Sequence, residues 1–226
     1  MSLILNIDTT SETALVNIAK DEVVLFEEVN REQRDHAAFL HPAIQLLQKK
    51  AGITIKEIDA IAVSHGPGSY TGMRVGMASA KGLCYALHKP FITVNQLEML
   101  AKDVIDNLEN TETDLLYCPM IDARRMEVFT ALYHKNLSEE FSPSALILDE
   151  NSFSNFLLKN KIIFFGSGAG KWQQLCKHKN ALFANAVNKG LAMSRLTFDK
   201  FRTKDFSDLA YTEPLYIKEF YTTAGA

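Results

Sequence analysis

The apolar segments of this 226-residue chain follow one another in the same order twice. Short apolar runs typical of strands come first, at Leu3–Asp8, 13–20 and 22–29, and a segment with helical spacing then ends at Gly52. After residue 110 a similar order of strands and helices returns. Strand hairpins followed by strands that alternate with helices are typical of mixed sheets. The order therefore predicts an α/β protein with two subdomains, residues 1–110 and 111–226, and a boundary at Asn110–Asp114.

A glycine-rich stretch, HGPGSYTGMRVGMASAKGLCYAL from His65 to Leu87, joins a predicted buried strand to a helix. Neither phosphate-binding fingerprint fits it, because a P-loop needs Gly-Lys-Ser/Thr and a GxGxxG pattern would need its third glycine one residue before Gly72. Gly68, Gly72 and Gly76 are four residues apart, so on a helix they form a bare stripe that another backbone can approach. We favour close packing for these glycines, and an anion bound at the helix N-terminus is the alternative.

The helix before this stretch has two apolar stripes, whereas a surface helix needs only one, about 100° wide. The second stripe indicates deep burial or a partner. We therefore predict an association surface made by two helices, Ala38–Ala51 and Thr71–Leu87, in which small residues admit a partner and larger residues supply apolar area. Its predicted members are Phe39, Ala43, Leu46, Gly72, Met73, Gly76, Met77 and Ala80.

Charge is distributed unevenly along the chain. Residues 1–116 carry 10 basic and 16 acidic side chains, a net charge of −6, which disfavours a nucleic-acid surface there. Residues 171–204 carry eight basic side chains and one acid, a net charge of +7. This segment can contact nucleic acid through Lys177, Lys179 and Arg195, or it can simply be a solvated face.

The composition, 47% hydrophobic and 23% charged, is that of an ordinary soluble globular protein. No apolar run approaches the ~18 residues of a membrane span, and the opening MSLILNID lacks the basic region of a signal peptide. Cys84, Cys118 and Cys176 are scattered, which is typical of reduced thiols. We therefore expect a cytoplasmic protein without membrane contact.

Three segments carry a resemblance to a known family: the glycine stretch, LNIDTTSETALVNI near the N-terminus, and MIDARRMEVFTALY in the second half. Together they resemble the YeaZ (TsaB) family of bacterial tRNA threonylcarbamoyladenosine biosynthesis proteins. That family is similar to actin-like and sugar-kinase folds, so the resemblance implies two ribonuclease-H-like subdomains with mixed sheets flanked by helices.

The resemblance also implies a function, that of a non-catalytic scaffold subunit. The family's complex transfers a threonylcarbamoyl group to the adenosine beside the anticodon of tRNAs that read codons beginning with A. The expected partners are a TsaD transferase, a TsaE ATPase and tRNA, with Lys177, Lys179 and Arg195 as the expected tRNA contacts. Without TsaD, the association surface is expected to pair with itself in a homodimer.

The resemblance implies further expectations about ligands. It places Asp8, Thr9 and Thr10 in a first phosphate loop, although Asp8 can equally cap the turn formed with the two threonines. It places Gly166, Ser167 and Gly168 in a nucleotide-facing loop. We expect no tightly bound cofactor in the chain itself, and ATP or ADP in the complex.

Metal binding and catalysis are not expected. TsaD proteins hold a metal with two histidines four residues apart on the helix after the glycine stretch, and Gln96 and Leu100 stand at those places here. Leucine cannot ligate a metal, and a glutamine alone is a poor ligand set. Catalysis by the chain alone is therefore not expected.

Other functions stay open at this point. An independent actin-fold ATP-binding protein or kinase-like enzyme would need Asp122 as its base. A peptidase would need a metal pair or an activated nucleophile. His65 is expected to pack in the glycine loop rather than to act as a base, and residues 122–125 to form a tight turn, with Arg125 contacting a phosphate as the alternative. Trp172 is expected to be a core residue.

Overall fold

The structure is a computed structural model that describes residues 1–32, 35–108, 114–185 and 189–218. The predicted boundary at Asn110–Asp114 therefore lies, apart from Asp114, outside the described residues. None of the helices in the described ranges is long and apolar enough to cross a membrane.

The first half is built on a five-stranded sheet with the strand order β3-β2-β1-β4-β5. The first three strands pair antiparallel, and the pairs β1–β4 and β4–β5 are parallel. Its elements are β1 (Leu3–Asp8), β2 (Ala14–Lys20), β3 (Val23–Asn30), α1 (His36–Ala51), a 3-10 turn (Ile55–Glu57), β4 (Ala60–Gly66), α2 (Tyr70–Leu87), β5 (Phe91–Asn95) and α3 (Gln96–Asn107).

The second half repeats this topology in a sheet with the order β10-β9-β6-β7-β8. Strands β6, β7 and β8 pair antiparallel, and β9 is parallel to both β6 and β10. The predicted pair of α/β halves with mixed sheets is thus confirmed. Its elements are β6 (Leu115–Asp122), β7 (Glu127–Tyr133), β8 (Glu139–Ile147), α4 (Ser154–Leu157), β9 (Lys161–Phe165), α5 (Ala169–Leu175) and β10 (Ala181–Phe183), followed by α6 (Lys189–Thr203).

Local signals in the sequence explain where the long helices begin and end. Helix α1 stops at Gly52, which adopts the left-handed conformation (φ 65°) that glycine tolerates. Helix α2 starts after Ser69, whose hydroxyl accepts a hydrogen bond from the Gly72 N–H. It ends at His88, also left-handed (φ 52°), and Pro90 follows two residues later.

Each half of the chain contributes a helix to the core of the other half. Helix α6 follows the second sheet in the chain but packs on the first sheet, where Met193 and Leu196 join a buried cluster with Ile4 and Val94. Helix α3 directs Leu100 into a cluster with residues of the second sheet. Residues far apart in sequence therefore complete each core.

A buried polar network fixes α6 on the first sheet. Asn6 Nδ2 donates to Asn17 Oδ1 (2.8 Å), and Thr197 Oγ1 of α6 donates to Asn6 Oδ1 (2.8 Å). Ser194 Oγ donates to the Gly190 carbonyl oxygen (2.9 Å) and also contacts the Asn17 side chain. All of these side chains are buried, so the network specifies the register of α6 as well as its attachment.

Candidate functional site

The glycine stripe of α2 faces a loop of the same chain. A Cβ at Gly68 or Gly72 would overlap the carbonyl oxygen of Thr10 or Thr9, and a Cβ at Gly76 would lie 2.5 Å from Thr9 Oγ1. Thr9 Oγ1 donates to the Gly72 carbonyl oxygen at 2.6 Å. The predicted close packing of these glycines is confirmed, but the backbone that approaches is the loop after β1.

This burial corrects most of the predicted association surface. Gly72, Met73, Gly76, Met77, Ala80 and Ala43 are buried within the chain, so assigning them to an exposed surface was wrong. The small and apolar residues of both helices face the first sheet and its loops, because that is where close packing is needed. Of the predicted members, only the partly buried Phe39 and Leu46, which is 42% exposed, reach the surface.

A different face of α2 is open to solvent. It carries Arg74, Ala78, Gly82 and Tyr85, the last of which is 76% exposed. A Cβ added at Gly82 would meet no atom within 4 Å. Leu46 of α1 is also exposed, but on the side of that helix on which Lys50 pairs with Glu28 of β3, so it does not belong to the open face of α2.

A cleft of about 880 Å³ separates the two halves. It is bounded by the loop after β1, the first turns of α2 and α3, the β6–β7 turn, the loop after β9 and the start of α6. Polar side chains from each of these elements line it, among them Thr10, Ser69, Gln96, Asp122, Ser167 and Lys189.

Three of the six residues expected to face a nucleotide lie in this cleft, namely Thr10, Gly166 and Ser167. Asp8 is only 1% exposed, and its Oδ1 accepts hydrogen bonds from Thr10 N (2.9 Å) and Thr10 Oγ1 (2.7 Å). Of the two roles considered for Asp8, the structure shows the cap of the turn. Thr9 is directed to α2 instead.

The loop after β9 is fitted closely to β6. Gly166 has φ 97°, and Gly168 donates its N–H to the Met120 carbonyl oxygen at 2.9 Å. A Cβ at Gly168 would lie 2.6 Å from Val128 Cγ1, so this glycine serves packing. Ser167 Oγ accepts a hydrogen bond from the Asp122 N–H at 3.0 Å, which joins the loop to the β6–β7 turn.

The predicted tight turn at residues 122–125 is confirmed. Asp122 Oδ1 accepts a hydrogen bond from the Arg124 N–H (2.6 Å), and both Arg124 and Arg125 have positive φ angles. Lys171 Nζ donates to the same carboxylate oxygen at 2.6 Å. Partial burial alone would raise the pKa of Asp122, but these hydrogen bonds hold it below its usual value. Asp122 is thus engaged in holding the turn, which disfavours it as a base.

The two positions compared with metal ligands differ in their surroundings. Gln96 is 1% exposed, lines the cleft, and accepts a hydrogen bond at Oε1 from Ser64 Oγ (2.9 Å). Leu100 is 3% exposed and belongs to an apolar cluster between the halves. Within the part of the chain that the structure describes, no three or more His, Cys, Asp or Glu side chains group where they could hold a metal.

His65 and Trp172 occupy the structural positions expected for them. His65 Nδ1 lies 2.8 Å from the Val94 carbonyl oxygen, an arrangement in which the ring N–H donates. Burial lowers the pKa of His65, which favours the neutral ring. Trp172 is 1% exposed in the core of the second half, beside Phe153 at a ring-centroid distance of 5.5 Å.

The basic segment does not form one continuous charged face. Lys177 and Lys179 are exposed in the connection between α5 and β10, on the second sheet. Arg195 lies on α6, against the first sheet, and pairs with Asp106 at 2.6 Å. Lys171, Lys200 and Arg202 also have acidic partners, so much of the segment's charge is compensated.

Sequence reasoning missed several residues that line the cleft. Ser69 has a recognisable signal, since a serine three residues before Gly72 at the start of a helix is typical of an N-cap. Lys189 and Arg124 have no such signal. Their place in the cleft depends on the return of α6 to the first sheet and on the geometry of the β6–β7 turn.

Comparison with known proteins gives concordant matches. A family model described as TsaD, tRNA N6-adenosine threonylcarbamoyltransferase, matches residues 24–195. A tRNA threonylcarbamoyladenosine biosynthesis protein TsaB from Bacillus subtilis is 30% identical over 76% of this chain and 74% of its own length. The protein of the same name from Haemophilus influenzae is 25% identical over 97% and 94%. The solved structure of YeaZ from Pseudomonas aeruginosa, 24% identical, covers 96% of this chain and 100% of its own with a TM-score of 0.76, which shows a shared fold.

Proposed function

Since the chain belongs to the TsaD family of tRNA N6-adenosine threonylcarbamoyltransferases and to its TsaB proteins, we propose that it is a non-catalytic subunit in tRNA threonylcarbamoyladenosine biosynthesis. The match to a TsaB protein along about three quarters of both chains carries this proposal. The match identifies the biosynthetic pathway, and the side chains of the cleft support a non-catalytic role in that pathway.

The non-catalytic role is supported by the residues at the two positions compared with TsaD metal ligands. Leu100 is a core side chain with no ligating atom. Gln96 has its oxygen engaged by Ser64. Asp122, which a kinase-like enzyme would need as a base, is paired with Lys171. The alternative of an independent actin-fold enzyme therefore has no supporting side-chain arrangement among the residues described.

The partner we propose is a TsaD homologue that docks on the exposed face of α2, defined by Arg74, Ala78, Gly82 and Tyr85. Small side chains at Ala78 and Gly82 leave room for a helix to approach, and Tyr85 offers apolar area beside them. In the absence of TsaD the same face would support a homodimer, because related chains can use one patch for both contacts.

The wider assembly includes a TsaE homologue and tRNA, with Lys177 and Lys179 as the exposed cations available for tRNA. Arg195 is a weaker candidate than the sequence indicated, because its guanidinium is engaged by Asp106. ATP or ADP is proposed for the assembled complex, and the cleft residues Thr10 and Ser167 would face such a ligand.

Reconstitution with the TsaD homologue of the same genome tests the role. The chain and TsaD are purified separately and together, and threonylcarbamoyladenosine is measured by mass spectrometry of digested tRNA. We expect modification only with both proteins and the activated threonylcarbamoyl donor. Modification by this chain alone, or equal TsaD activity without it, would contradict the proposal.

A pair of glycine variants tests the docking face. Gly82→Leu adds bulk on the exposed face of α2, and Gly170→Leu adds the same bulk on α5; at both glycines an added Cβ has no neighbour within 4 Å. Both variants should therefore fold. We expect Gly82→Leu to lose co-purification with TsaD and Gly170→Leu to keep it. Equal binding by the two variants would place the interface elsewhere.

A further inference from the structure

Residues 204–218, which follow α6, form a strap without helix or strand that starts on the first half of the chain and ends on the second. Ser207 lies at the outer edge of β5, where its N–H donates to the Phe91 carbonyl oxygen at 2.8 Å. Farther along, the Leu215 N–H donates to the His65 carbonyl oxygen, also at 2.8 Å, near the end of β4. The strap is therefore attached to two separate strands of the first sheet.

A clasp of one cation and two aromatic rings holds the strap on α2. Tyr216 packs on Tyr70 with a ring-centroid distance of 5.3 Å, and its hydroxyl accepts a hydrogen bond from Arg74 Nε at 3.0 Å. The Arg74 guanidinium also lies 3.9 Å from the centroid of the Tyr70 ring, within the range of a cation–π contact. Because Tyr70 lines the cleft between the halves, the clasp lies at the rim of that cleft.

Two residues after the clasp, the strap reaches the second half. Lys218 Nζ forms an ion pair with the carboxylate of Glu127, which belongs to β7. The Glu127 side chain is only 14% exposed, so its carboxylate has little freedom to follow the lysine. Tyr216 and Lys218 together therefore connect α2 of the first half to β7 of the second half.

Beneath the strap lies a cavity of about 310 Å³ between the two halves. Met73 of α2 and Phe129 of β7 line it from different halves, and residues 215–218 form one of its walls. Phe129 and Arg124 line both this cavity and the larger cleft, so the two spaces adjoin. Because space remains under the strap, the halves can change their separation on this side without disrupting a packed core.

The contacts of the strap differ in kind from the junction of the halves at α3. That junction is a cluster of buried apolar side chains, among them Leu97 of α3 and Tyr117 of β6. The strap instead depends on Tyr216, which is 38% exposed, and on Lys218, whose side chain is 40% exposed. Exposed ion pairs and exposed cation–π contacts are weak. One junction is therefore firm and the other can open, which is the arrangement of a hinged pair of domains.

We propose that the strap is a latch. Tyr216 and Lys218 hold the two halves together on one side of the cleft, and release of both contacts lets the halves hinge about the junction at α3. The latch sets the width of the cleft in the isolated chain and requires neither a ligand nor a partner. Its failure would therefore leave the proposed role as a TsaD partner standing.

The distance between the halves tests the latch in the full chain. Spin labels are attached through Gln45→Cys on α1 and Asn155→Cys on α4, both exposed positions. The partly exposed Cys176 is replaced by serine, and the two other cysteines are buried. Pulsed electron paramagnetic resonance gives the distribution of distances between the labels. We expect a narrow distribution with the native strap, and a broader one shifted to longer distances when Tyr216→Ala and Lys218→Gln are combined.

Matched variants and a second measurement make the result decisive. Tyr211→Ala and Lys179→Gln change exposed residues of the same two types outside the latch, and together they should leave the distances unchanged. Hydrogen exchange at the Leu215 N–H reports release of the strap, and circular dichroism reports folding.

An unchanged distance distribution in the latch variant overturns the proposal in either of two ways. If the Leu215 N–H stays protected, other contacts hold the strap. If it loses protection, the strap is released but does not restrain the halves. A shift of equal size in the control variant would also overturn the proposal.

Discussion

Replacing Gly72 by alanine perturbs the closest contact between α2 and the rest of the chain. The added Cβ would overlap the carbonyl oxygen of Thr9 and lie 3.0 Å from its carbonyl carbon. Backbone atoms cannot rotate away as a side chain can, so the loop after β1 must move. That movement breaks the bonds from Thr9 Oγ1 to the Gly72 oxygen and from Ser69 N to the Thr10 oxygen, both 2.6 Å long.

The magnitude follows from three effects on the free energy of unfolding. Each lost hydrogen bond lowers it by about 0.5–1.5 kcal/mol. Overpacking lowers it by about 1–3 kcal/mol. The better helix propensity of alanine raises the free energy of unfolding by at most about 1 kcal/mol. The net loss is therefore roughly 1–5 kcal/mol, which for a chain of this length lowers Tm by about 2–20 °C.

Gly82→Ala on the same helix is the matched control, and its effect has the opposite sign. No atom lies within 4 Å of the added Cβ, so only the propensity term acts. We expect Tm to rise by about 2–4 °C. Both variants are measured by thermal unfolding with circular dichroism. A Gly72→Ala protein as stable as the wild type, or a destabilised Gly82→Ala protein, would refute the conclusion that the glycine stripe of α2 packs against the loop after β1.

Three other predictions concern different parts of the molecule. Burial, which outweighs the attraction of Lys200, raises the pKa of Glu98 above its usual value. The fold thus favours the protonated form of Glu98, and the stability gained from that form is lost as pH rises through the raised pKa. Glu98→Gln should therefore increase Tm near neutral pH but not in acid, where Glu98 is protonated in both the folded and the unfolded state. Charge reversal at Lys177 and Lys179 should weaken tRNA binding by the TsaD complex and reduce its salt slope by about 1 per cation, so an unchanged slope would identify them as solvated charges. Asn6→Leu removes two buried hydrogen bonds, those that Asn6 makes with Asn17 and Thr197, and should lower the free energy of unfolding by about 1–3 kcal/mol in urea titrations, whereas a neutral effect would show that the network adds little.

Local patterns predicted most of the strands and helices. β1 is mostly apolar because it is buried between two layers, and α2 is bounded by its serine cap and by Pro90. β10 has no clear signal in the sequence because Ala181–Phe183 is too short to show a period, and β8 begins with polar residues at Glu139.

The side on which a helix is covered could not be read from its own sequence. A stripe of small residues at Gly72 and Gly76 suits a partner helix or an internal loop equally well. The loop that decides the matter belongs to Thr9 and Thr10, some sixty residues earlier in the chain. The cleft escaped prediction for the same reason, because Gln96 and Lys189 meet there only after α6 has returned to the first sheet.

The packing of α6 on the first sheet has a consequence for synthesis on the ribosome. The face of the first sheet that carries Ile4, Ala62 and Val94 is covered by α6, whose last residue is added 96 residues after the end of α3. At bacterial and eukaryotic elongation rates of about 5–20 residues per second, that interval lasts about 5–20 s. During it the nascent chain presents an apolar sheet face that its own sequence cannot yet cover, so the emerging first half is a natural substrate for chaperones that act at the ribosome.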